Sequence, residues 1–134
     1  MEFNPDILIH MAAQPLVRFS YEDPVETYST NVIGTLNILE VSKKLKFVKS
    51  IVSITSDKCY ENTGKIRGYK ETDVLGGVDP YSASKASAEL IIQSYISSFF
   101  PSKKTKVLIG IARAGNVIGG GDWSENRLIA DCIK

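Results

Sequence analysis

Apolar residues along this chain fall into two kinds of run. Three are short and compact: DILIH at residues 6–10, SIVSIT at 50–55 and KVLIGIAR at 106–113. Their length and β-branched content predict strands, and SIVSIT is apolar enough to be covered on both faces. Between them the apolar positions recur at helical spacing. Val25, Tyr28, Val32, Leu36 and Leu39 predict a helix over 24–45, with Asp23 as its N-cap and Pro24 at the first position, where the missing N–H is harmless. Leu90, Ile91, Tyr95 and Phe99 predict the apolar face of a second helix over 81–100, stopped by Pro101. Residues 56–80 are polar, contain glycine and run longer than a simple connection needs, which predicts a functional loop. The order strand, helix, strand, helix, strand predicts an α/β chain: a parallel sheet joined by right-handed crossovers, with helices on its faces. Neither an internal repeat nor a low-complexity tract interrupts it.

Composition narrows the class. The 134 residues are 43% hydrophobic and 23% charged, and 16 basic against 15 acidic side chains leave a net charge of +1. That balance excludes the basic stripe that a nucleic-acid backbone or an anionic membrane requires. The cluster of lysines over 43–49 reads as the solvated end of a helix, cations lying near its C-terminus. No run approaches the roughly 18 apolar residues of a membrane span, and no signal-peptide pattern opens the chain, so cytoplasm is the default expectation. Cys59 and Cys132 match no metal or redox spacing and, with one histidine in the chain, predict free thiols rather than a zinc site.

Parallel sheets of this kind bind ligands beyond the C-terminal ends of their strands. There the chain carries HMAAQP (10–15), TSDKCY (55–60) and RAGN (113–116). The helix after the long loop opens with Tyr81 and Lys85, four residues apart, hence on one face, with only Ser82, Ala83 and Ser84 between them. A phenol with a resting pKa of about 10 becomes a usable base only if a cation stabilises its phenolate, and a lysine one turn away supplies one. Alone, the Tyr-x-x-x-Lys spacing arises by chance. A preceding strand that ends in Thr55 and Ser56 makes it far more specific. Asp57 and Lys58 read blind as a surface salt bridge or a solvated loop end; at this strand end they read as an acid and a base. Ala12 and Ala13 either let a ligand approach the backbone or are simply small loop residues. Asn31 is a poor helix former and is expected to hydrogen-bond backbone. His10 reads as a strand-end structural residue, and Trp123 either packs on a base or fills an apolar notch.

The motifs VSITSDKCY, PYSASK, HMAAQ, TNVIGT and RAGNVIGGGDW, in this order and spacing, resemble the extended short-chain dehydrogenase/reductase family of nucleotide-sugar enzymes. The resemblance runs from PDILIHMAAQPLVRFSYEDP (5–24) to GDWSENRLI (121–129) and so rests on no single motif. It implies a Rossmann-type, doubly wound parallel sheet that holds NAD, a nucleoside diphosphate sugar as substrate, and loss of water across C5 and C6 to a 4-keto-6-deoxy sugar. By matching motif, Tyr81 would take the proton of the sugar 4-hydroxyl, Ser56 would hydrogen-bond the same oxygen, and Lys85 would hold the nicotinamide ribose and lower the tyrosine pKa. Asp57 would protonate the departing 6-hydroxyl and Lys58 would remove the C5 proton, which requires burial and neighbours to shift both groups. Ala12, Ala13, Gln14, Asn31 and Thr55 would border the cofactor, along with Tyr81 and Lys85. Asn116 would contact the substrate, and Arg127 with Leu128 and Ile129 would lie against the diphosphate, arginine being suited to forked phosphate contacts. Relatives that take dTDP-glucose or GDP-mannose resemble this stretch but carry glutamate where Lys58 stands, those that take CDP-glucose share the Asp-Lys pair, and epimerases of the family lack the acid/base pair. CDP-glucose is therefore the expected substrate.

GGGD (119–122) lacks the G-x-G-x-x-G spacing and reads as a loop. Compared with the family, the chain is expected to be the central part of an NAD-binding domain, its last residues entering the substrate region. The first strands, the glycine turn for the pyrophosphate and the rest of the substrate domain would lie outside it. The family often dimerises through the helices matching 24–45 and 81–100, so association with a second copy is expected. Two readings of different kind follow: the catalytic segment of a dehydratase or a related epimerase, or a non-catalytic fragment acting only by association. Without the pyrophosphate cradle these 134 residues alone are expected to turn over CDP-glucose weakly or not at all. Robust turnover in an assay of this chain by itself would contradict that.

Overall fold

Strands β1 (Ile7–His10), β2 (Ser50–Ser56) and β3 (Leu108–Ala114) form one parallel sheet in the order β1-β2-β3. The computed structural model describes residues 3–64, 66–101, 106–125 and 127–133. The register sets Leu8 beside Ile51 and Ile51 beside Ile109, then His10 beside Ser53 and Ser53 beside Ile111, and finally Thr55 beside Arg113. These residues share one face, and there the chain packs its helices: Ile51 and Ser53 are buried, and α4 (Pro80–Ser98) lies against β2.

The other face differs from the expectation for SIVSIT. Val52 and Ile54 are only half-buried, and Ile7, Ile9 and Leu108 beside them are exposed. Two-sided cover, usual for parallel sheets, is thus present on one side among the described residues. In β1 one flank pairs with β2 and the other is the sheet edge.

The first crossover holds more helix than its apolar spacing predicts. A short α1 (Val17–Glu22) occupies what reads as loop, and α2 (Pro24–Tyr28) follows with Asp23 capping it through the Glu26 N–H at 2.8 Å. The chain then passes through a π-helical segment (Ser29–Ile33) into α3 (Gly34–Ser42). One extra residue per turn at such a segment shifts which side chains face inward, and it interrupts the regular helix expected over 24–45. Leu39 is fully buried, while Val25 and Tyr28 point out.

Helix α4 also departs from expectation. Its buried stripe is Tyr81, Ser82, Ser84, Lys85, Ala86, Ala88, Glu89 and Ile92; Leu90 and Phe99 are exposed. Of the apolar positions expected to face inward, Ile91 and Tyr95 are half-buried and Leu90 and Phe99 exposed, because mostly polar residues take the interior face. Beyond β3 the described residues up to α5 (Leu128–Ile133) are irregular, and GGGD is a loop with Gly121 at φ +87°. Cys59 is a buried free thiol and Cys132 an exposed one.

The long connection between β2 and α4 is folded back on itself. Tyr60 bridges Leu75, Tyr60 and Tyr69 stack with centroids 4.6 Å apart, and Arg67 forks onto Asp73. At its end Gly77 lies against the first turn of α4, where a Cβ would meet the Ala83 nitrogen at 2.2 Å and the Ser82 carbonyl carbon at 2.4 Å. Because both are backbone atoms, Gly77→Ala must push the loop away from the start of α4. We expect a loss of about 1–3 kcal/mol in urea unfolding, against no change for Gly68→Ala, which has nothing within 4 Å.

Candidate active site

The C-terminal end of β2 and the N-terminal turns of α4 converge on one place. Asp79 caps α4, accepting from the Ser82 N–H at 2.9 Å and from the Ser82 hydroxyl at 2.6 Å, and Pro80 occupies the first position. The Tyr81 N–H, which would otherwise lack a partner, donates to the Ser20 hydroxyl of α1 at 3.1 Å. Helix α1 therefore fixes where the tyrosine starts. Tyr81 and Lys85 are 8% and 7% exposed, stacked one turn apart on the buried side.

Ser56 ends β2 in extended conformation and caps the single 3-10 turn Asp57–Cys59, accepting from the Lys58 N–H at 3.2 Å. Its hydroxyl donates to the Asp57 carboxylate at 3.2 Å. Burial pushes the phenol above its ordinary range; the nearby Ser56 hydroxyl pulls the other way, the Asp57 charge adds to the rise, and Arg127 opposes it. Burial alone lowers the Lys85 ammonium. Lys85 is not among the causes of the phenol's shift, in which burial comes first. Asp57 and Lys58 sit at the site mouth and are exposed, so the burial that their expected chemistry requires is not supplied by these residues themselves. Asp57 faces Gly115, where an added Cβ would lie 3.6 Å from its Oδ2, so the ends of β2 and β3 share one rim.

The remaining predicted residues divide into two groups. Ala12 is exposed and Ala13 half-buried at the end of β1, Asn116 and Leu128 are exposed, and Arg127 is paired through Nε with Asp122 at 3.0 Å. Gln14, Asn31 and Thr55 instead sit behind the site with their side chains occupied. The Asn31 amide accepts from the Gln14 N–H at 2.8 Å and donates to the Gln14 carbonyl at 3.1 Å and to the Ser84 hydroxyl at 2.8 Å. Lying in the π-helical segment, it clasps the loop after β1 to α4, which is the backbone bonding expected of it. The Gln14 side chain braces the same loop, donating to Thr27 at 2.8 Å and to the Leu16 carbonyl at 3.1 Å. His10 bonds the Thr35 hydroxyl at 3.1 Å.

No motif assigns a role to Glu89, which the structure places behind the site. Glu89, one turn beyond Lys85, is 0% exposed and accepts from Thr55 at 2.6 Å and from Arg113 at 2.9 Å. Burial pushes its carboxyl up, but the bonds from Arg113, Thr55 and Cys59 outweigh this and hold it below the usual carboxylate range. Next to this carboxylate, and buried, the Cys59 thiol is pushed up to about 12. The signal for Glu89 was its i+4 spacing from Lys85, masked by the apolar residues on the other side of the helix.

With this geometry established, comparison with known proteins places the chain. A family model described as GDP-mannose 4,6 dehydratase matches residues 1–111, and the chain belongs to that family. CDP-glucose 4,6-dehydratase of Salmonella typhimurium is 54% identical over 136 residues, an alignment spanning 99% of this chain and 38% of that protein. Among solved structures, MoeE5 in complex with UDP-glucose and NAD superposes with a TM-score of 0.81 at 25% identity, covering 97% of this chain and 41% of that one. RMD from Pseudomonas aeruginosa complexed with NADPH superposes at 0.72 and 30% identity, covering 89% and 38%. The chain thus spans about two fifths of the length of these relatives. Among the described residues no helix is long and apolar enough to cross a membrane.

His10 supplies a pH test of the site. Burial first, then the Lys85 ammonium, lower its pKa below the ordinary value of 6.5. The unfolded chain therefore takes up this proton at higher pH than the folded one, so the stabilisation is present above about 6.5 and is lost as pH falls through the folded value. We expect the urea midpoint to drop across the window just below pH 6.5, and His10→Gln to flatten that part of the curve. Any loss from Glu89, whose pKa is lowered from 4.5, lies at more acid pH and stays in the variant.

Proposed function

We propose that this chain is the catalytic segment of a nucleotide-sugar 4,6-dehydratase that converts CDP-glucose to CDP-4-keto-6-deoxyglucose with NAD. The convergence of Ser56, Asp57, Tyr81 and Lys85 carries the reading, in a chain 54% identical to a CDP-glucose 4,6-dehydratase. The residues fit the cofactor. Lys85 is a buried cation whose shift has no carboxylate among its causes, so vicinal hydroxyls of a ribose suit it. Small Ala12 and Ala13 leave the end of β1 open to a ligand. NAD, when bound, would accept a hydride from C4 of the sugar and return it at C6.

The chain's own groups would handle the protons. Tyr81 takes the proton of the 4-hydroxyl, and Ser56, the first group to favour its phenolate, hydrogen-bonds the same oxygen. Once C4 is a ketone the C5 hydrogen is acidic. Lys58 removes it, and Asp57 donates a proton to the 6-hydroxyl, which departs as water. Both stand exposed at the rim, and a bound sugar would cover them, supplying the desolvation that the chain alone does not. Asn116 and Arg127 would contact the nucleotide from the segment after β3. The exposed Val25, Tyr28, Ile33 and Leu90 on α2, the π-helical segment and α4 support association with a second copy.

In the full-length chain, Tyr81→Phe is expected to lower kcat by about 10²–10⁴-fold. Lys58→Ala is expected to abolish elimination while sparing C4 oxidation, read as reduced nicotinamide accumulating in a single turnover with CDP-glucose. Loss of oxidation instead of elimination, or turnover of dTDP-glucose or GDP-mannose faster than CDP-glucose, counts against the assignment.

A further inference from the structure

The Glu89–Arg113 pair, its carboxylate fully buried, joins β2, β3, the loop after Lys58 and α4. Glu89 lies on α4, at i+4 from Lys85 and i+8 from Tyr81. Its carboxylate accepts from the Thr55 hydroxyl at 2.6 Å, and Thr55 immediately precedes Ser56. It also accepts from Arg113 through Nε and Nη2, and Arg113 is the register partner of Thr55 on β3, two residues before Gly115 at the rim. The third nitrogen of the guanidinium, Nη1, donates to the Tyr60 hydroxyl at 2.8 Å and the Glu71 carbonyl at 3.1 Å, in the loop that follows Lys58. One carboxylate thus ties together the ends of both strands, the loop, and the helix bearing Tyr81.

Stability alone does not require such a pair. Desolvating two charges offsets most of their attraction, and an apolar pair of similar volume serves a fold as well or better. What only the ion pair supplies is direction: a carboxylate with defined acceptor positions and a planar fork that meets it in one orientation. We propose that Glu89, held by Arg113, is a positioning residue that fixes the end of β2, and with it Ser56, relative to Tyr81 on α4. The proposal rests on the reading of Ser56 and Tyr81 given above.

It is tested in the full-length chain with Glu89→Met/Arg113→Met, which removes both charges and keeps apolar volume, and with Thr55→Val, which removes one hydroxyl. The NMR signal of the Tyr81 phenolic carbon, identified by its loss in Tyr81→Phe, reads the placement of the phenol beside the end of β2 without turnover. Expected are a folded double variant by near-ultraviolet dichroism, a Tyr81 signal displaced as in Ser56→Ala in both variants, and kcat for CDP-glucose lower by about tenfold or more with KM nearly unchanged. An undisplaced Tyr81 signal in the folded double variant overturns the proposal. So does an undisplaced signal in Thr55→Val should the double variant not fold, whereas displacement there supports it. If the signal moves but Tyr81→Phe leaves turnover intact, the positioning stands and the dehydratase reading falls.

Discussion

Helix α4 buries polar groups where most helices bury apolar ones, and the rest of the structure is arranged to satisfy them. A buried donor or acceptor left without a partner costs roughly 1–3 kcal/mol, so each group on this face dictates a neighbour. The Tyr81 N–H calls for the Ser20 hydroxyl, Ser84 meets the amide of Asn31, and Glu89 meets Thr55 and Arg113. These partners come from α1, from the π-helical segment and from the ends of β2 and β3. A helix held this way has little freedom to slide, since sliding by one residue would orphan several groups together. An apolar stripe would tolerate such a shift far better.

That rigidity serves a site made of groups that do not stabilise each other. Tyr81 and Lys85 are both driven toward their neutral forms by burial, and Asp57 raises the phenol further. Holding such groups close together is unfavourable unless the scaffold enforces it. The scaffold does so through contacts that lie outside the site: the Asn31 clasp on one side and the Glu89 cluster on the other. Membership of the GDP-mannose 4,6 dehydratase family accounts for the shared architecture. In this chain the clasp and the cluster hold α4 to the loop after β1 and to the ends of β2 and β3.

The uncovered face of the sheet shows the complementary situation. Ile7, Ile9 and Leu108 gain nothing from water, yet α1 to α4 gather on the opposite face, where the polar partners are.

Strands, their order and the parallel sheet were legible in the sequence because period and length separate a run such as SIVSIT from the helical pattern after Asp23. The cluster of Ser56, Asp57, Tyr81 and Lys85 was legible because Tyr81 and Lys85 are one turn apart and Ser56 ends a strand, both of them local facts. Helix α1, the π-helical segment and the inward side of α4 were not, because Leu90 and Phe99 mark an apolar side whatever it faces, and only packing decides which side turns in. The ionisation of Tyr81 was likewise beyond the sequence, since burial depends on neighbours that the chain brings from far away. Spacing along the backbone thus determined which chemical groups stand together, and the tertiary structure alone decided how dry their surroundings are and what holds them there.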